Sequence, residues 1–539
     1  MLANFITIND AFRDAVKMYP NKAAIIFQDE KLTFTEVDAF AEKIAAFFYH
    51  KGLKRQDRII LYLPHMPEWI NVWLAMQRLG VTVIPFTHFY GFTEISYIGN
   101  DSGAKTIFCG DKNFEQVVNA SEEYLFDTIV IIGDDYDAEL VKRVSAMGTE
   151  VIFYSNIMSG DVQPLPDVQI ADTDIAEILY TGGTTGFPKG VPLTNSQLVM
   201  AMQIKRDMFI SLLPMGAGVA LQGAPLFHIL GKELGISSLL CGDSLILLPK
   251  MNVDDIFRNM EKHKVTTFFG TPTLLRMMLD HKNINKYNFD SIVYVFVAGE
   301  ALPLEVYDRW KKRFEIPPYQ GYGSTETGGI ITGIPVEENY PPGTIGKIVH
   351  GKRALLLHPE TKEPVGLGKP GELYVTSDNM VTAYLNDPEE TARHFVEMEG
   401  RLWFKTGDIV RYDENGWFFF VDRSVDMIKT KGYSVTASKV EAVIYKHEAV
   451  NECCVIGIPD EKDGEKLKAF IVLKEGYENT KGEDITEWCM EKLASYEVPY
   501  LIEFKKNLPK SLVHKILRRI IRDEERKLFE QQKEARDNN

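Results

Sequence analysis

A glycine- and threonine-rich run followed by a lysine is the stretch of this chain best suited to chemistry. It spans residues 180–190 and reads YTGGTTGFPKG. Its glycines allow a sharp turn with inward-pointing N–H groups, and its threonine hydroxyls and Lys189 add donors and a positive charge, so the loop can hold a polyphosphate. The spacing differs from the GxxxxGK[ST] phosphate loop, because Lys189 stands between a proline and a glycine. Taken alone, the run is equally typical of a structural turn.

Three other motifs add chemical groups. Residues 320–326 read QGYGSTE, in which Tyr322 offers a stacking face and Glu326 is a hard oxygen ligand suited to Mg²⁺. Asp408, in the sequence TGD, can accept hydrogen bonds from ribose hydroxyls, and Lys515 lies in the basic run LPKSLVHKILRR. Each of these motifs alone is typical of a turn or of a solvated surface.

The elements that must position these groups alternate in type along the chain. Short β-branched runs and amphipathic helical stretches succeed one another, which predicts βαβ units with mostly parallel sheets. Such sheets bind ligands at the carboxyl ends of their strands. The predicted elements include strands over 58–63, 81–85, 175–180, 265–269 and 292–297 and helices over 68–79, 253–262 and 304–314.

The pattern of predicted secondary structure changes in the second half of the chain. Residues 343–422 contain short strands with tight turns, including 371–376, 402–405 and 417–421, which predict a small barrel or meander. We therefore expect an α/β fold with a large domain over 1–422, made of two βαβ-type subdomains and a small β-barrel-like one. A small α+β domain over 423–539 follows, ending in a charged helix or frayed tail.

Composition limits the class of protein. The formal net charge of −16 argues against a general nucleic-acid or anionic-membrane binder. The five cysteines form no CxxC pair, which indicates a reducing compartment without a disulfide framework. No signal peptide is recognisable, and the most apolar patch, 236–248, is too short to span a bilayer. We expect a soluble, cytoplasmic protein; peripheral membrane contact and a monomeric or homodimeric state stay open.

Taken together, the motifs resemble the adenylate-forming superfamily of acyl-CoA synthetases, luciferases and peptide-synthetase adenylation domains. The resemblance covers essentially the whole chain, with the motifs in family order, and is strongest to AMP-forming fatty-acyl-CoA or aryl-CoA synthetases. It implies ATP, Mg²⁺ and CoA as cofactors and cosubstrates and a carboxylic acid as substrate.

The resemblance also implies residue roles. The phosphate-binding residues would be Thr181, Gly182, Gly183, Thr184, Thr185, Gly186 and Lys189. The adenine side would be formed by Gly299, Glu300, Ala301, Gln320, Gly321, Tyr322, Gly323 and Ser324. Thr325 would touch the α-phosphate, and Glu326 with Thr184 would hold Mg²⁺. Asp408 and Arg423 would bind the ribose.

The remaining roles belong to the acid and to CoA. Lys515 would reach the α-phosphate and the substrate carboxylate, and the catalytic residue His228 would form a wall of the acyl pocket or position that carboxylate. After a rotation of the C-terminal domain about a hinge in 422–426, a second face would admit CoA through Lys429, Lys431, Gly432 and Tyr433.

Several positions depart from the family pattern, three of them after residue 422. Val425 stands where relatives carry Asp or Lys, so either Val425 or Asp426 is the hinge. Lys439 replaces a usual acidic residue, and His514 replaces the glycine before the catalytic lysine. None of these changes removes a residue that the chemistry requires.

The acyl pocket predicts a hydrophobic acid. Small residues at Gly299, Gly321 and Gly323 leave room for an acyl chain or ring, and residues 227–230 with Ile330 make apolar walls. Medium- or long-chain fatty acids and aromatic or alicyclic acids are not separated by this pattern. The next residues, Lys232 and Glu233, are expected to begin a helix facing solvent; contact with a polar substrate tail is the alternative.

Two rival functions stay open. A stand-alone adenylating enzyme would use another acceptor, as in luciferase-like chemistry or the loading of a carrier protein. An inactive homologue would serve as an AMP or acyl-CoA sensor, but retention of Lys189, Glu326, Asp408 and Lys515 argues against it.

Overall fold

The computed structural model describes residues 5, 7–182, 187–430, 433–460, 463–510 and 516–537; for 425, 434 and 532–537 it describes only the backbone. The chain divides into two compact units. The first contains Met1–Tyr340, Gly346–Arg353 and Thr376–Phe404, and the second contains Pro341–Ile345, Ala354–Val375 and Lys405–Asn539. The boundary predicted near residue 422 stays a prediction.

The strands and helices of the described residues alternate along much of the chain. The strands are β1 (Ala23–Phe27), β2 (Glu30–Thr33), β3 (Arg58–Tyr62), β4 (Thr82–Pro85), β5 (Thr106–Gly110), β6 (Thr128–Ile132), β7 (Glu150–Phe153), β8 (Ile175–Thr181), β9 (Lys189–Thr194), β10 (Val219–Gln222), β11 (Ser244–Leu247), β12 (Thr267–Gly270), β13 (Tyr294–Val297), β14 (Pro318–Gln320), β15 (Tyr322–Ser324), β16 (Gly329–Gly333), β17 (Lys347–Ile348), β18 (Lys352–Leu357), β19 (Gly371–Ser377), β20 (Phe395–Met398), β21 (Arg401–Tyr412), β22 (Phe418–Arg423), β23 (Met427–Thr430), β24 (Tyr433–Thr436), β25 (Val450–Asp460), β26 (Gly464–Leu473) and β27 (Leu501–Phe504). The helices are α1 (Ile8–Met18), α2 (Phe34–His50), α3 (Pro67–Leu79), α4 (Phe92–Ser102), α5 (Phe114–Ala120), α6 (Ala138–Ala146), α7 (Tyr154–Ser159), α8 (Asn195–Asp207), α9 (Ile229–Gly231), α10 (Ser237–Leu240), α11 (Val253–Lys262), α12 (Pro272–Asp280), α13 (Leu304–Phe314), α14 (Pro388–His394), α15 (Ala437–Ile444), α16 (Gly482–Met490) and α17 (Arg518–Asp537).

Local sequence explains why these segments take their form. Helix α11 begins after Asn252, whose side-chain oxygen accepts hydrogen bonds from the N–H groups of the first turn. The helix buries Val253, Ile256, Phe257 and Met260, which share one face at helical spacing. The bounds of α11 and α13 coincide with the predicted 253–262 and 304–314.

Two mostly parallel seven-stranded sheets form the large unit. One has the order β7-β6-β5-β3-β4-β8-β9, in which only the edge strand β9 is antiparallel to its neighbour. The other has the order β14-β13-β12-β10-β11-β1-β2, with β2 as its antiparallel edge. Their strands are largely buried, because helices cover both faces of parallel sheets. The predicted mixed α/β fold with a large N-terminal and a smaller C-terminal domain is confirmed.

Antiparallel strands follow where the sequence texture changes. Strand β20 pairs with β21, and β21 pairs with β22. The predicted strand over 402–405 is longer than expected, because β21 runs on to Tyr412 and includes Asp408.

The second unit contains the sheet β24-β23-β26-β25, with β27 beside β26. Its core includes Val440, Ile444, Val455 and Ile471. The charged end of the chain forms the helix α17 rather than a frayed tail. Among the described helices, none combines the length and apolar character that a membrane crossing requires.

Candidate active site

The glycine-rich run joins two antiparallel strands rather than a strand and a helix. Strand β8 ends at Thr181 and pairs with β9, so that Thr181 stands opposite Lys189. Both residues therefore flank the connection between the two strands, and Gly182 at its start is exposed. The predicted phosphate-binding residues Gly183, Thr184, Thr185 and Gly186 lie outside the described residues.

Glu326 reaches the same connection from a short 3₁₀ turn, Thr325–Thr327. One oxygen of its carboxylate, Oε1, accepts hydrogen bonds from the Thr181 hydroxyl and from the Tyr384 hydroxyl, both at 3.2 Å. Burial and the Glu326 charge raise the pKa of Tyr384, so this phenol stays protonated and can donate. Thr325 is buried beside Glu326 on the turn. No sequence motif predicted the contact of Tyr384 with Glu326.

A single carboxylate suits Mg²⁺ bound together with phosphate. In the part of the chain that the structure describes, no three His, Cys, Asp or Glu side chains cluster to hold a metal ion. Mg²⁺ in nucleotide sites uses one or two carboxylates plus substrate phosphate oxygens. Glu326 fits that requirement.

Lys189 already has an anionic partner. Its ammonium donates to Glu390, and both side chains are less than a tenth exposed, at 9% and 8%. The ammonium also lies 5.2 Å from the centre of the Tyr384 ring. Burial lowers the pKa of Lys189, while the charges of Asp387 and Glu326 act to raise it. No sequence motif predicted the contact of Glu390 with Lys189.

The predicted adenine-binding segments are joined to each other. The Gln320 side-chain amide donates to the Glu300 carbonyl at 3.2 Å, and the Glu300 carboxylate accepts from the Thr273 backbone at 2.7 Å. Gly299 has a φ of +91°, and the direction in which a β-carbon would point is open. Tyr322 is half-buried on β15. Ala301 and Ser324 lie on these same two segments.

The expected room beside two of the glycines is already filled. A β-carbon on Gly321 would lie 2.4 Å from the Phe296 ring, and one on Gly323 would lie 2.6 Å from the Gly329 carbonyl. These glycines therefore permit close packing of β15 against its neighbours. The prediction that Gly321 and Gly323 leave space for an acyl chain is wrong; Gly299 keeps its open side.

Lys232 and Glu233 do not face solvent, which contradicts the prediction. They begin a π-helical turn, Lys232–Ile236, and both side chains are buried. Lys232 donates to Glu177 on β8, and its ammonium lies 4.4 Å from the Trp69 ring centre. Polar residues after an apolar run suggested an exposed helix start, but the counter-charge that permits their burial comes from a distant strand.

Glu233 supports the turn that carries Glu326. Its carboxylate accepts the Ile330 N–H at 2.7 Å, while the Lys352 ammonium donates to the Thr327 carbonyl at 2.7 Å. Desolvation raises the pKa of Glu233 to about 7 and lowers the pKa of Lys352 to about 8. Lys205 faces the same interior; its ammonium donates to Tyr294 and lies 3.1 Å from the Phe296 ring centre.

His65 and His228 each accept a backbone hydrogen bond from the loop predicted to line the acyl pocket. The Nδ1 atom of His228 accepts the Leu230 N–H at 3.2 Å, and the ring is exposed at the start of α9. The Nε2 atom of His65 accepts the Leu226 N–H at 3.0 Å. Desolvation lowers the pKa of His65 to about 4, so this ring stays neutral and remains an acceptor. No sequence motif predicted the contact of His65 with Leu226.

The predicted ribose and CoA residues belong to the second unit. Arg423 Nε lies 3.4 Å from the Asp408 carboxylate, on the paired strands β22 and β21. Lys429 is exposed and pairs with Glu360 at 3.0 Å. Tyr433 is half exposed and stacks on Tyr496, with ring centres 4.2 Å apart. Lys431, Gly432, His514 and Lys515 lie outside the described residues.

Asp426, one of the two hinge candidates, is bound to the last helix. Its carboxylate accepts from Arg518 at 2.7 Å and from Arg522. Arg518 also donates to both oxygens of Glu441 at 2.7 Å. Lys439, the unusual basic residue, pairs with Glu497. The side chain of Val425 lies outside the described residues.

Family models match both parts of the chain. Residues 12–385 match the model described as AMP-binding enzyme, and residues 439–515 match the AMP-binding enzyme C-terminal domain. The chain belongs to the AMP-binding enzyme family. The predicted membership of the adenylate-forming superfamily, and of an enzyme class of ligases, is confirmed.

Relatives and solved structures cover nearly the whole chain. A long-chain-fatty-acid–CoA ligase of Bacillus subtilis (strain 168) is 31% identical, over 96% of this chain and 94% of its own. A 4-coumarate–CoA ligase of Arabidopsis thaliana is 28% identical, over 91% and 86%. The crystal structure of an anthranilate CoA ligase in complex with anthranoyl-AMP is 25% identical, with a TM-score of 0.86 over 96% and 97%.

Proposed function

We propose that this enzyme is an AMP-forming acyl-CoA synthetase acting on a hydrophobic carboxylic acid. The observation that carries the proposal is the convergence of Thr181, Lys189 and Glu326 on one glycine-rich connection. Thr181 bonds Glu326 directly, and Lys189 lies beside the Tyr384 ring whose hydroxyl bonds the same carboxylate. A hard anionic ligand and a fixed cation beside backbone N–H groups are the requirements for magnesium-bound polyphosphate.

The first half-reaction joins two anions. An oxygen of the substrate carboxylate forms a bond to the α-phosphorus of ATP, and the bond from that phosphorus to the bridging oxygen breaks, releasing pyrophosphate. Positioning and fixed positive charge overcome the repulsion between the reactants. Mg²⁺ on Glu326, with Thr184 as a further ligand, would supply charge at the phosphates. Lys189 would hold the leaving pyrophosphate, Thr325 would contact the α-phosphate, and Lys515 would bring charge to the attacking carboxylate.

The nucleoside would be held by groups that the resemblance assigns. Tyr322 would stack on the adenine beside the segment from Gly299 to Ala301, and Asp408 with Arg423 would bind the ribose hydroxyls. In support, Gln320 fixes the Glu300 carbonyl, and Gly299 is open where the base would approach.

The second half-reaction transfers the acyl group to CoA. The thiolate sulfur attacks the acyl carbon, and the bond from that carbon to the AMP oxygen breaks. We propose that a C-terminal domain over 423–539 rotates relative to residues 1–422, so that Lys515 leaves and the face with Lys429, Lys431, Gly432 and Tyr433 admits the pantetheine arm. The exposure of Lys429 and Tyr433 supports their access to such a ligand.

The acid is proposed to be a fatty acid, with an aromatic acid as the second candidate. The first is favoured by the long-chain-fatty-acid–CoA ligase that shares 31% identity with this chain. The second is favoured by the structural similarity to the anthranilate CoA ligase. The predicted walls at 227–230 and Ile330 contain phenylalanine, histidine, isoleucine and leucine side chains and no lysine, arginine or carboxylate.

Pyrophosphate release across a panel of acids, with and without CoA, tests the function. Saturated fatty acids of graded length, benzoate derivatives and amino acids should be compared at equal concentration. Release together with a CoA-dependent thioester supports the proposal. Release without a thioester favours another acceptor, and absence of release with every acid favours a nucleotide or acyl-CoA sensor.

A further inference from the structure

The Glu390 side chain is oriented toward Lys189 and not toward the start of its own helix. It is the third residue of α14, whose N-terminal cap is Asp387. A Glu at this position commonly bonds back to the backbone N–H of the cap residue. Here its two carboxylate oxygens instead accept hydrogen bonds from Lys189 and from Arg393. The Glu390 side chain therefore contacts Lys189, which is 201 residues away in the sequence, instead of the cap of its own helix.

The Lys189–Glu390 pair and its cationic neighbours differ in solvent exposure. Lys189 and Glu390 are buried, whereas Arg393 is 58% exposed. His394 lies 3.6 Å from the same Glu390 oxygen that Lys189 contacts. Glu390 thus has two other cationic or polar neighbours that can keep its charge compensated if Lys189 turns to another anion.

A polyphosphate at Lys189 would meet this carboxylate. Two anions that share one buried ammonium repel each other strongly, because solvent screens them poorly. When phosphate binds, either the Glu390 carboxylate is displaced from Lys189 or the two anions stay close and repel each other. Either outcome makes the affinity for phosphate lower than Lys189 alone would give.

We propose that Glu390 is a built-in counter-anion that competes with ATP and pyrophosphate for Lys189. The inference rests on the proposed function, in which Lys189 binds the phosphates. By recapturing the ammonium, Glu390 favours departure of pyrophosphate after the acyl-adenylate has formed. It is a positioning residue, since it acts on the phosphates through Lys189.

The test is a calorimetric titration of magnesium pyrophosphate into the full chain. Glu390→Gln removes the charge at nearly constant shape, so pyrophosphate binding should tighten about three- to tenfold because the competing anion is gone. A tenfold change corresponds to about 1.4 kcal/mol. The matched control is Glu389→Gln, because Glu389 is the adjacent residue, is 84% exposed and lies 3.6 Å from Arg393. This control should bind as the unchanged chain does. Binding by Glu390→Gln that equals the control, or is weaker, overturns the proposal.

Two further variants separate this inference from the proposed function. In a Lys189→Met background, adding Glu390→Gln should no longer tighten binding; tightening that persists there overturns the competition. If Lys189→Met itself binds pyrophosphate as tightly as the unchanged chain, the phosphate role of Lys189 is wrong, whatever Glu390 does.

Glu390→Asp shortens the side chain and should give an intermediate affinity for pyrophosphate. This variant keeps the test available if the glutamine variant does not fold. An unchanged affinity of the folded aspartate variant then overturns the proposal.

Discussion

Two buried lysine–glutamate pairs of the large unit differ in their surroundings. One includes Glu177 on strand β8, and the other includes Lys189 on the neighbouring strand β9. Lys232 and Glu177 are fully buried, at 0% exposure each, and the ammonium lies beside two tryptophan rings. Lys189 and Glu390 are slightly exposed, at 9% and 8%, and lie beside the glycine-rich connection. The first pair is enclosed, whereas the second lies beside the connection that is predicted to bind phosphate.

The enclosed pair should give the largest effect on stability. Lys232→Met leaves Glu177 buried without its cation, and we expect a loss of about 3–5 kcal/mol in the free energy of unfolding. Denaturant unfolding measures it, with Lys250→Met at an exposed position as the control. A loss no larger than that of the control would contradict the structural role of the pair.

Lys515 should show the opposite behaviour, with a large kinetic effect and little change in stability. We expect Lys515→Ala to slow pyrophosphate release at least about 100-fold, because a fixed charge at the transition state is lost. Thioester formation from supplied acyl-adenylate should be largely retained. Lys510→Ala, in the same basic run, is the control. Equal loss of both half-reactions would contradict separate faces for the two steps.

The pair Glu233 and Lys352, which supports the Glu326 turn, should make stability depend on pH. Desolvation raises the pKa of Glu233 from 4.5 to about 7, so the folded chain keeps a proton that the unfolded chain loses. Stability from this group therefore falls as pH rises from about 5 to about 7, by up to about 3 kcal/mol. The lowered pKa of Lys352 affects stability only above about pH 8. Lys205 is the other charged neighbour of Glu233.

Glu233→Gln should remove the slope between pH 5 and 7. Melting temperatures of the variant and the unchanged chain, measured across that range, provide the comparison. Parallel curves would show that Glu233 does not titrate there. A retained slope with slower pyrophosphate release would indicate a role in positioning the turn alone.

The pair of the exposed Lys439 with Glu497 should give the smallest effect. Lys439 is 57% exposed, and solvent screens its interaction with Glu497. We expect Lys439→Ala to cost less than about 1 kcal/mol in unfolding free energy. A cost comparable to that of Lys232→Met would show that exposure does not separate these pairs.

Local patterns in the sequence predicted the elements and the glycine-rich connection well. The bounds of α11 and α13 follow from apolar spacing, and Thr181 and Glu326 follow from their motifs. The polar partners were not predictable in this way. Glu390 is 201 residues from Lys189, and Glu177 is 55 residues from Lys232, so only the fold reveals their contacts.

Glycine was ambiguous for a physical reason. The absence of a side chain serves both the approach of a ligand and the close packing of strands. At Gly299 the open side is consistent with a ligand, whereas at Gly321 the Phe296 ring fills the space. A single sequence contains no signal that separates the two uses.

Lys189, the lysine of the pair beside the glycine-rich connection, is proposed to bind the phosphates of ATP, whereas Lys232, the lysine of the enclosed pair, is not. Magnesium pyrophosphate affinity and unfolding free energy, measured side by side on Lys189→Met and Lys232→Met, test it directly. We predict that Lys189→Met weakens pyrophosphate binding at least about tenfold with the smaller loss of stability, and that Lys232→Met loses stability with its affinity retained. Unchanged pyrophosphate affinity in Lys189→Met would contradict the account.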